Sequence, residues 1–162
     1  ARAVERDGST GSSSGGSRAR IVAAEMAFPN GSVITPDGKT LIVGETFGAR
    51  LTAFTIEPDG SLSNRRVWAE TGNAVPDGIC LDAEGAIWVA SPRSAEVLRI
   101  KEGGDVTHRV KVATQAFACM LGGPDRRILF VLTADNTPQA SPGKPSGKIE
   151  TVRVEVPGAG LP

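Results

Sequence analysis

Two polar residues in this sequence carry side chains of the kind that bind hard cations. Asn30 and Asp77 each stand between a proline and a glycine. Asn30 offers a neutral amide oxygen and Asp77 an anionic carboxylate oxygen, which suit Ca²⁺ or Mg²⁺ better than Zn²⁺ or copper. Ca²⁺ takes about 6–8 oxygen ligands, so two residues do not complete a site. Asn-Gly and Asp-Gly are also good turn formers, and spacing alone leaves a purely structural role open.

Both motifs open a longer repeated unit of short apolar runs separated by Gly, Pro and Asp. Gly38 and Gly85, in corresponding turns, are 47 positions apart, and Leu41 and Leu129 are 88 apart, or about 44 per copy. A repeat of about 40–50 residues with four strands per copy is typical of β-propeller blades. The runs lack a period of 3.6, so helical repeats fit poorly.

We therefore predict an all-β fold, a β-propeller of four-stranded antiparallel blades, here about three blades of a six-bladed ring. Residues 1–29 are expected to form outer strands of a partial blade, one of them at 18–24, with a Ser/Gly-rich loop at 9–17. Residues 30–157 form three blades and 158–162 a tail. The predicted blade strands are 33–34, 41–43, 50–56 and 62–69; 79–81, 86–89, 96–100 and 106–112; and 119–121, 128–132 and 148–155. Because a half-ring exposes apolar flanks, we expect a second chain, a second copy or a further segment to complete the propeller.

Composition argues against several classes of partner. The 18 basic and 18 acidic residues balance, which gives no electrostatic basis for binding nucleic acid or an anionic membrane. Aromatic residues are 4% of the chain, too few for stacking along single strands. No apolar run approaches the ~20 residues of a membrane helix. Residues 1–6 lack the apolar segment of a signal peptide, so a cytoplasmic protein is expected.

The remaining reactive side chains have simpler interpretations. Cys80 and Cys119 lie in apolar runs and are expected to be buried, reduced thiols, not a disulfide. Together with His108 alone they give no zinc spacing. Glu45 and Ser91 follow corresponding strands and point either into a central tunnel or, as we expect, into solvent. The other assignments are an exposed His108, blade-packing Trp68 and Trp88, and structural turn acids at Asp37, Asp59, Glu84 and Asp125.

Four motifs in this order carry a resemblance to a known family: FPNG at 28–31, SNRR at 63–66, PDG at 76–78 and GGPD at 122–125. From about residue 21 to 157 the chain resembles the C-terminal half of the senescence-marker-protein, gluconolactonase and luciferin-regenerating-enzyme family. The resemblance implies a six-bladed propeller with a divalent metal in its central tunnel, most often Ca²⁺, with Zn²⁺, Mg²⁺ or Mn²⁺ as alternatives. The implied metal ligands are Asn30 and Asp77. A further ligand, a first-blade Glu, has no counterpart here.

The function that the resemblance implies is hydrolysis of a small lactone or sugar lactone. The metal would polarise the carbonyl, and Asp77 would be the base that activates water. Two other interpretations remain open from the residues. One is a non-catalytic propeller fragment that acts as a binding or scaffold module; the other is a hydrolase of aryl or phosphate esters on the same fold.

Overall fold

The computed structural model describes residues 18–137, 143 and 145–160, and its regular elements there are all β-strands. All neighbouring strands pair antiparallel, in three sheets of order β1-β2-β3-β4, β5-β6-β7-β8 and β11-β10-β9, here called blades 1, 2 and 3. Their bounds are β1 Pro29–Ile34, β2 Thr40–Glu45, β3 Arg50–Ile56 and β4 Leu62–Glu70; β5 Ile79–Leu81, β6 Ile87–Ser91, β7 Glu96–Ile100 and β8 Val106–Lys111; and β9 Gln115–Gly122, β10 Ile128–Ala134 and β11 Lys148–Arg153. In this described part of the chain no helix is long and apolar enough to cross a membrane.

The all-β prediction is confirmed, and each predicted blade strand has a counterpart. The strand predicted at 18–24 is wrong, because the backbone from 18 to 28 is irregular. Among the described residues no strand pairs with this segment, and an extended chain without a partner strand does not form a ladder. The segment lies against blade 1 instead, where Arg65 donates hydrogen bonds to the carbonyls of Ala24 (2.9 Å) and Glu25 (3.0 Å). The predicted loop at 9–17 lies outside the described residues.

Two apolar cores hold the blades together, one at each seam. Trp68 and Ile79 belong to the core between blades 1 and 2, and Trp88 and Leu129 to the core between blades 2 and 3. The exposed fractions of Trp68 and Trp88 are 4% and 2%, so the prediction that both pack between blades is confirmed. Successive side chains of a strand point to opposite faces of its sheet. One face of blade 2 therefore packs into the core shared with blade 1, and the other face packs into the core shared with blade 3.

Four of the hairpin turns share one side-chain hydrogen bond that fixes their shape. In each, an aspartate carboxylate accepts a hydrogen bond from the backbone N–H two residues later, which stabilises the turn without any ligand. The pairs are Asp37 with Lys39 (3.0 Å), Asp59 with Ser61 (2.9 Å), Asp82 with Glu84 (3.0 Å) and Asp125 with Arg127 (3.3 Å). Glu84 accepts a hydrogen bond from Arg99 at 2.8 Å. The structural role predicted for the turn acids is confirmed.

One of these acids is also half of a buried ion pair that the sequence did not reveal. Arg99 Nε lies 2.6 Å from Asp82 Oδ2, and both residues are buried. The tail then returns from blade 3 to this turn: Ala83 N–H donates to the carbonyl of Pro157 (2.8 Å), and Ala159 N–H to that of Leu81 (3.1 Å). The tail therefore links the end of blade 3 to the first strand of blade 2.

Candidate functional site

Asn30 and Asp77 lie side by side where the innermost strands of blades 1 and 2 meet. Asn30 is the second residue of β1, and Asp77 stands two residues before β5. Gly31 N–H donates to the carbonyl of Asp77 at 3.0 Å, and Asp77 N–H donates to that of Ala90 at 3.0 Å. The backbone of Asp77 is thus held from both sides, and the Asn30 side chain lies near enough to its carboxylate to lower the pKa in part.

The Asp77 carboxylate is partly withdrawn from water without a cationic side chain beside it. Burial raises its pKa above the ordinary value, while hydrogen bonds from the Asn30 side chain and the Gly78 N–H lower it in part. Among the described residues, no ion pair includes Asp77. A desolvated anion with one neutral amide beside it is a fitting, though incomplete, environment for a hard cation.

Asp77→Asn is expected to stabilise the metal-free protein at neutral pH. The pKa of Asp77 is higher in the folded protein than in the unfolded chain, so the ionised carboxylate destabilises the fold. This loss of stability increases as pH rises through the folded pKa. The variant removes the charge and keeps the shape, so its melting temperature in a chelator should exceed that of the wild type at pH 7. At a pH below the unfolded pKa the two should converge. A lower melting temperature at pH 7 would contradict this assignment.

The two glycines next to Asn30 and Asp77 are required by close approach of the blades. A Cβ on Gly31 would lie 2.4 Å from the carbonyl oxygen of Asp77, and one on Gly78 would lie 2.7 Å from Cα of Ala118. The sequence suggested that these glycines permit tight turns, but neither has a positive φ. Their role is to let one blade's backbone rest on the next.

Thr46 is a neighbour of the pair that the sequence analysis missed. Its Oγ1 donates to the carbonyl of Pro76 at 2.7 Å and accepts from Asn30 Nδ2 at 3.4 Å. Since the hydroxyl proton is committed to Pro76, the hydroxyl can only accept from Asn30, which fixes the amide nitrogen on that side. The amide oxygen of Asn30 is left without a described hydrogen bond, as a cation ligand requires.

Thr46→Val is expected to weaken divalent-cation binding, because the amide of Asn30 loses its orienting partner. Thr46→Ser keeps the hydroxyl and is the matched control. Losing one such hydrogen bond typically costs about 1 kcal/mol, so cation affinity should fall by roughly five- to tenfold in Thr46→Val and by less than twofold in Thr46→Ser. Isothermal titration with Ca²⁺ measures both. Equal affinities in the two variants would show that Thr46 does not orient Asn30.

The corresponding place in blade 3 is apolar. Just as Gly31 N–H donates to Asp77, Gly78 N–H donates to the carbonyl of Phe117 at 2.8 Å. Blade 3 therefore has Phe117 at the place where blades 1 and 2 have Asn30 and Asp77. In the described part of the chain, no group of three or more His, Cys, Asp and Glu side chains is arranged to hold a metal.

Two exposed aromatic rings lie beside the pair. Thr46 N–H donates to the carbonyl of Phe28 at 3.0 Å, and the rings of Phe28 and Phe47 have centroids 4.7 Å apart. Their exposed fractions are 53% and 77%. Phe28 has a φ of 61°, in the left-handed region that a bulky residue rarely adopts. Strain of this kind concentrates at functional sites, and the rings form an apolar rim next to Asn30.

The other candidates take no part in this site. Glu45 and Ser91 are fully buried, so the expectation that they are solvated is wrong. Ser91 Oγ accepts hydrogen bonds from Val75 N–H (3.2 Å) and from Ser94 Oγ (2.8 Å). His108 is exposed as predicted, with its Nδ1 3.0 Å from Thr107 Oγ1.

Glu45 is the centre of a structural cluster. Burial alone would raise its pKa, but hydrogen bonds from Arg50, Thr52 and the Ala27 N–H outweigh burial and lower the pKa to about 2. Arg50 Nε lies 3.0 Å from its carboxylate, and Arg65 Nη2 lies 3.5 Å away. Both nearby arginines and the irregular segment before β1 are therefore anchored on one carboxylate.

Comparison with known proteins places the chain in a family. The profile described as SMP-30/Gluconolactonase/LRE-like region matches residues 4–135. A 6-deoxy-6-sulfogluconolactonase from Pseudomonas putida is 27% identical over 152 residues, which are 90% of this chain and 52% of the relative.

Solved structures agree. A luciferin-regenerating enzyme has a TM-score of 0.73 at 20% identity, over 86% of this chain and 49% of that structure. A gluconolactonase from Xanthomonas campestris has a TM-score of 0.57 at 31% identity, over 67% of this chain and 35% of that structure. The chain thus spans about half the length, or less, of the proteins it matches. It belongs to the SMP-30, gluconolactonase and luciferin-regenerating-enzyme-like family, as the residue motifs had indicated.

Proposed function

We propose that this chain supplies two oxygen ligands, Asn30 and Asp77, of a divalent-metal site in a lactonase-type propeller. The complete protein would hydrolyse a sugar lactone or a similar small cyclic ester, with Ca²⁺ as the preferred metal. The proposal depends on one observation: an uncompensated, partly buried carboxylate lies against an oriented amide at the inner edge of two blades. The names of the lactonase relatives support the substrate class.

Each residue has a distinct part in this proposal. Asn30 presents a neutral oxygen whose direction is set by Thr46, and Asp77 presents the negative charge. A bound divalent metal would polarise the lactone carbonyl and make nearby water easier to deprotonate. Asp77 would take the proton of the attacking water on a carboxylate oxygen. The acyl C–O bond of the ring would then break, the leaving alkoxide would take the proton from Asp77, and the ring would open to a hydroxy acid.

The aromatic rim beside Asn30 would contact the substrate. Phe28 and Phe47 are exposed beside the ligands and would cover the apolar face of a small ring-shaped substrate. The remaining oxygens of a Ca²⁺ site must come from water and from a part of the propeller beyond these three blades. A second copy, a second chain or a further segment that completes the ring would provide them.

Cation binding by the ring-complete protein tests the ligand assignment. Ca²⁺ at about 100 times its dissociation constant should stabilise the protein by about 2.7 kcal/mol, a rise of several degrees in melting temperature. Asp77→Asn should abolish that rise while remaining folded. If the wild type melts at the same temperature with Ca²⁺ and with a chelator, the metal proposal fails. The interpretation as a non-catalytic binding or scaffold module would then be favoured.

Lactone hydrolysis by the ring-complete protein tests the chemistry. Titration of released acid at constant pH should show turnover of a gluconolactone that requires Ca²⁺, and Asp77→Asn should reduce it to background. Aryl and phosphate esters are the comparison substrates. Faster turnover of those esters than of any lactone would redirect the proposal to another class of ester, and turnover retained in Asp77→Asn would remove Asp77 from the mechanism.

A further inference from the structure

The two cysteines of this chain meet across the seam between blades 2 and 3. Cys80 lies in β5 and Cys119 in β9, the innermost strands of their blades. Their Sγ atoms are 3.8 Å apart, and both residues are buried, with exposed fractions of 3% and 4%. Both are free thiols, as expected from the sequence, and no other cysteine exists in the chain to compete for either.

The surroundings already hold these sulfurs close together. Cys119 Sγ lies 3.4 Å from the carbonyl oxygen of Trp88 and 3.7 Å from that of Gly78, so its position is fixed by blade 2. The backbones of the two strands are joined nearby by the hydrogen bond from Gly78 N–H to the Phe117 carbonyl. A disulfide needs its sulfurs about 2.05 Å apart, an approach of about 1.8 Å from where they stand.

A small oxidant has a route toward the pair. Cys80 is among the residues that line an open cavity of about 450 Å³, together with Ser32, Ile79 and Met120. Hydrogen peroxide is little larger than water and fits such a space, whereas glutathione and protein oxidants do not pass through a packed seam. The chemistry that suits this place is therefore oxidation by a small peroxide.

We propose that Cys80 and Cys119 form an oxidative modification site, at which a small peroxide joins blade 2 to blade 3 through a disulfide. One sulfur attacks a peroxide oxygen, the O–O bond breaks, and a sulfenic acid and water form. The second sulfur attacks the sulfenic sulfur, the S–O bond breaks, and another water leaves. Two thiols and one hydrogen peroxide thus give one disulfide and two waters; sulfur is oxidised and the peroxide is reduced.

The cross-link has two physical consequences. It closes a loop of about 40 residues, and loops of that size restrict the unfolded chain enough to raise the melting temperature by on the order of 10 °C. The reaction is slow at neutral pH, since the hydrogen bond with Cys80 and burial raise the pKa of Cys119 well above its ordinary range, and it accelerates in more alkaline solution.

The experiment uses the full folded chain treated with hydrogen peroxide, then unfolded and alkylated. Mass spectrometry of the wild type should show a loss of about 2 Da, two unalkylated cysteines within one chain, and complete reversal by dithiothreitol. Cys80→Ser and Cys119→Ser are matched controls and should show no such intramolecular species. The oxidised wild type should melt higher than the reduced protein.

Two results would overturn the proposal. One is a folded wild type that yields only sulfinic and sulfonic acids, as each single variant does. The other is a disulfide that forms in urea and not in the folded protein, because the native contact would then not be its cause.

Discussion

Replacing Glu45 with glutamine is expected to lower the free energy of unfolding by about 3 kcal/mol at pH 7. The variant keeps the shape of the side chain and removes the charge that Arg50 and Arg65 share. Only the Glu45 carboxylate is fully buried, while the Arg50 and Arg65 side chains are 31% and 36% exposed. The loss therefore comes from the bonds that the carboxylate accepts from Arg50, Thr52 and the Ala27 N–H, which a neutral amide does not replace in full. Urea unfolding followed at several pH values measures the loss.

The pH dependence identifies the cause. The folded pKa of Glu45 is about 2, below the ordinary value of 4.5, so its charge contributes stability that is present above pH 4.5 and is lost as pH falls toward 2. The difference between wild type and variant should shrink through that window. Glu102→Gln is the matched control, since Glu102 pairs with Arg66 at 2.6 Å while both side chains are about half exposed, and it should change stability by less than about 1 kcal/mol. A Glu45→Gln effect no larger than that of the control would show that the cluster does not stabilise blade 1.

Replacing Gly31 with alanine is expected to destabilise the fold by about 2–3 kcal/mol and to abolish stabilisation by Ca²⁺. The new Cβ would lie 2.4 Å from the carbonyl oxygen of Asp77 and 2.6 Å from the amide nitrogen of Ile79. Both are backbone atoms, so no side chain can swing aside, and the seam between blades 1 and 2 must open. Asp77 would move with it, away from Asn30.

Gly160→Ala is the control for this change, because among the described residues no atom beyond its chain neighbours lies within 4 Å of its Cβ position and its φ is not positive. It should alter stability by less than about 0.5 kcal/mol and leave the response to Ca²⁺ intact. Melting curves of the three proteins, each with Ca²⁺ and with a chelator, separate the two effects. A Gly31→Ala protein that melts lower yet responds normally to Ca²⁺ would mean that Asp77 is not needed where it now lies.

The fold was predictable because its signals are local and repeat. Apolar runs bounded by turn residues determine where β2 or β6 lies, and the recurrence at about 44 residues relates the blades. The strand expected at 18–24 failed for the opposite reason. Its apolar pattern is local, but a strand forms only beside a partner, and among the described residues none pairs with it.

The site was predictable in part. Asn30 and Asp77 occupy equivalent places in two copies, so the repeat predicts that they meet at one end. Thr46 follows a strand like many threonines, and only the fold brings its hydroxyl to Asn30. In the sequence, Glu45 has the features of a solvent-exposed acid that follows a strand. No neighbouring residue indicates that Arg65, twenty positions later, forms an ion pair with it. Polar contacts between residues that are far apart in sequence produce no periodic pattern from which they could be predicted.

The two tryptophans give the molecule one intrinsic fluorophore at each seam. Trp68 is buried between blades 1 and 2 and Trp88 between blades 2 and 3, and the chain has no tyrosine to add its own emission. With Trp68 replaced by phenylalanine, a red shift on denaturation would report only the second seam, and with Trp88 replaced, only the first. Spectra of the two variants would therefore reveal whether the blades separate together or one after the other.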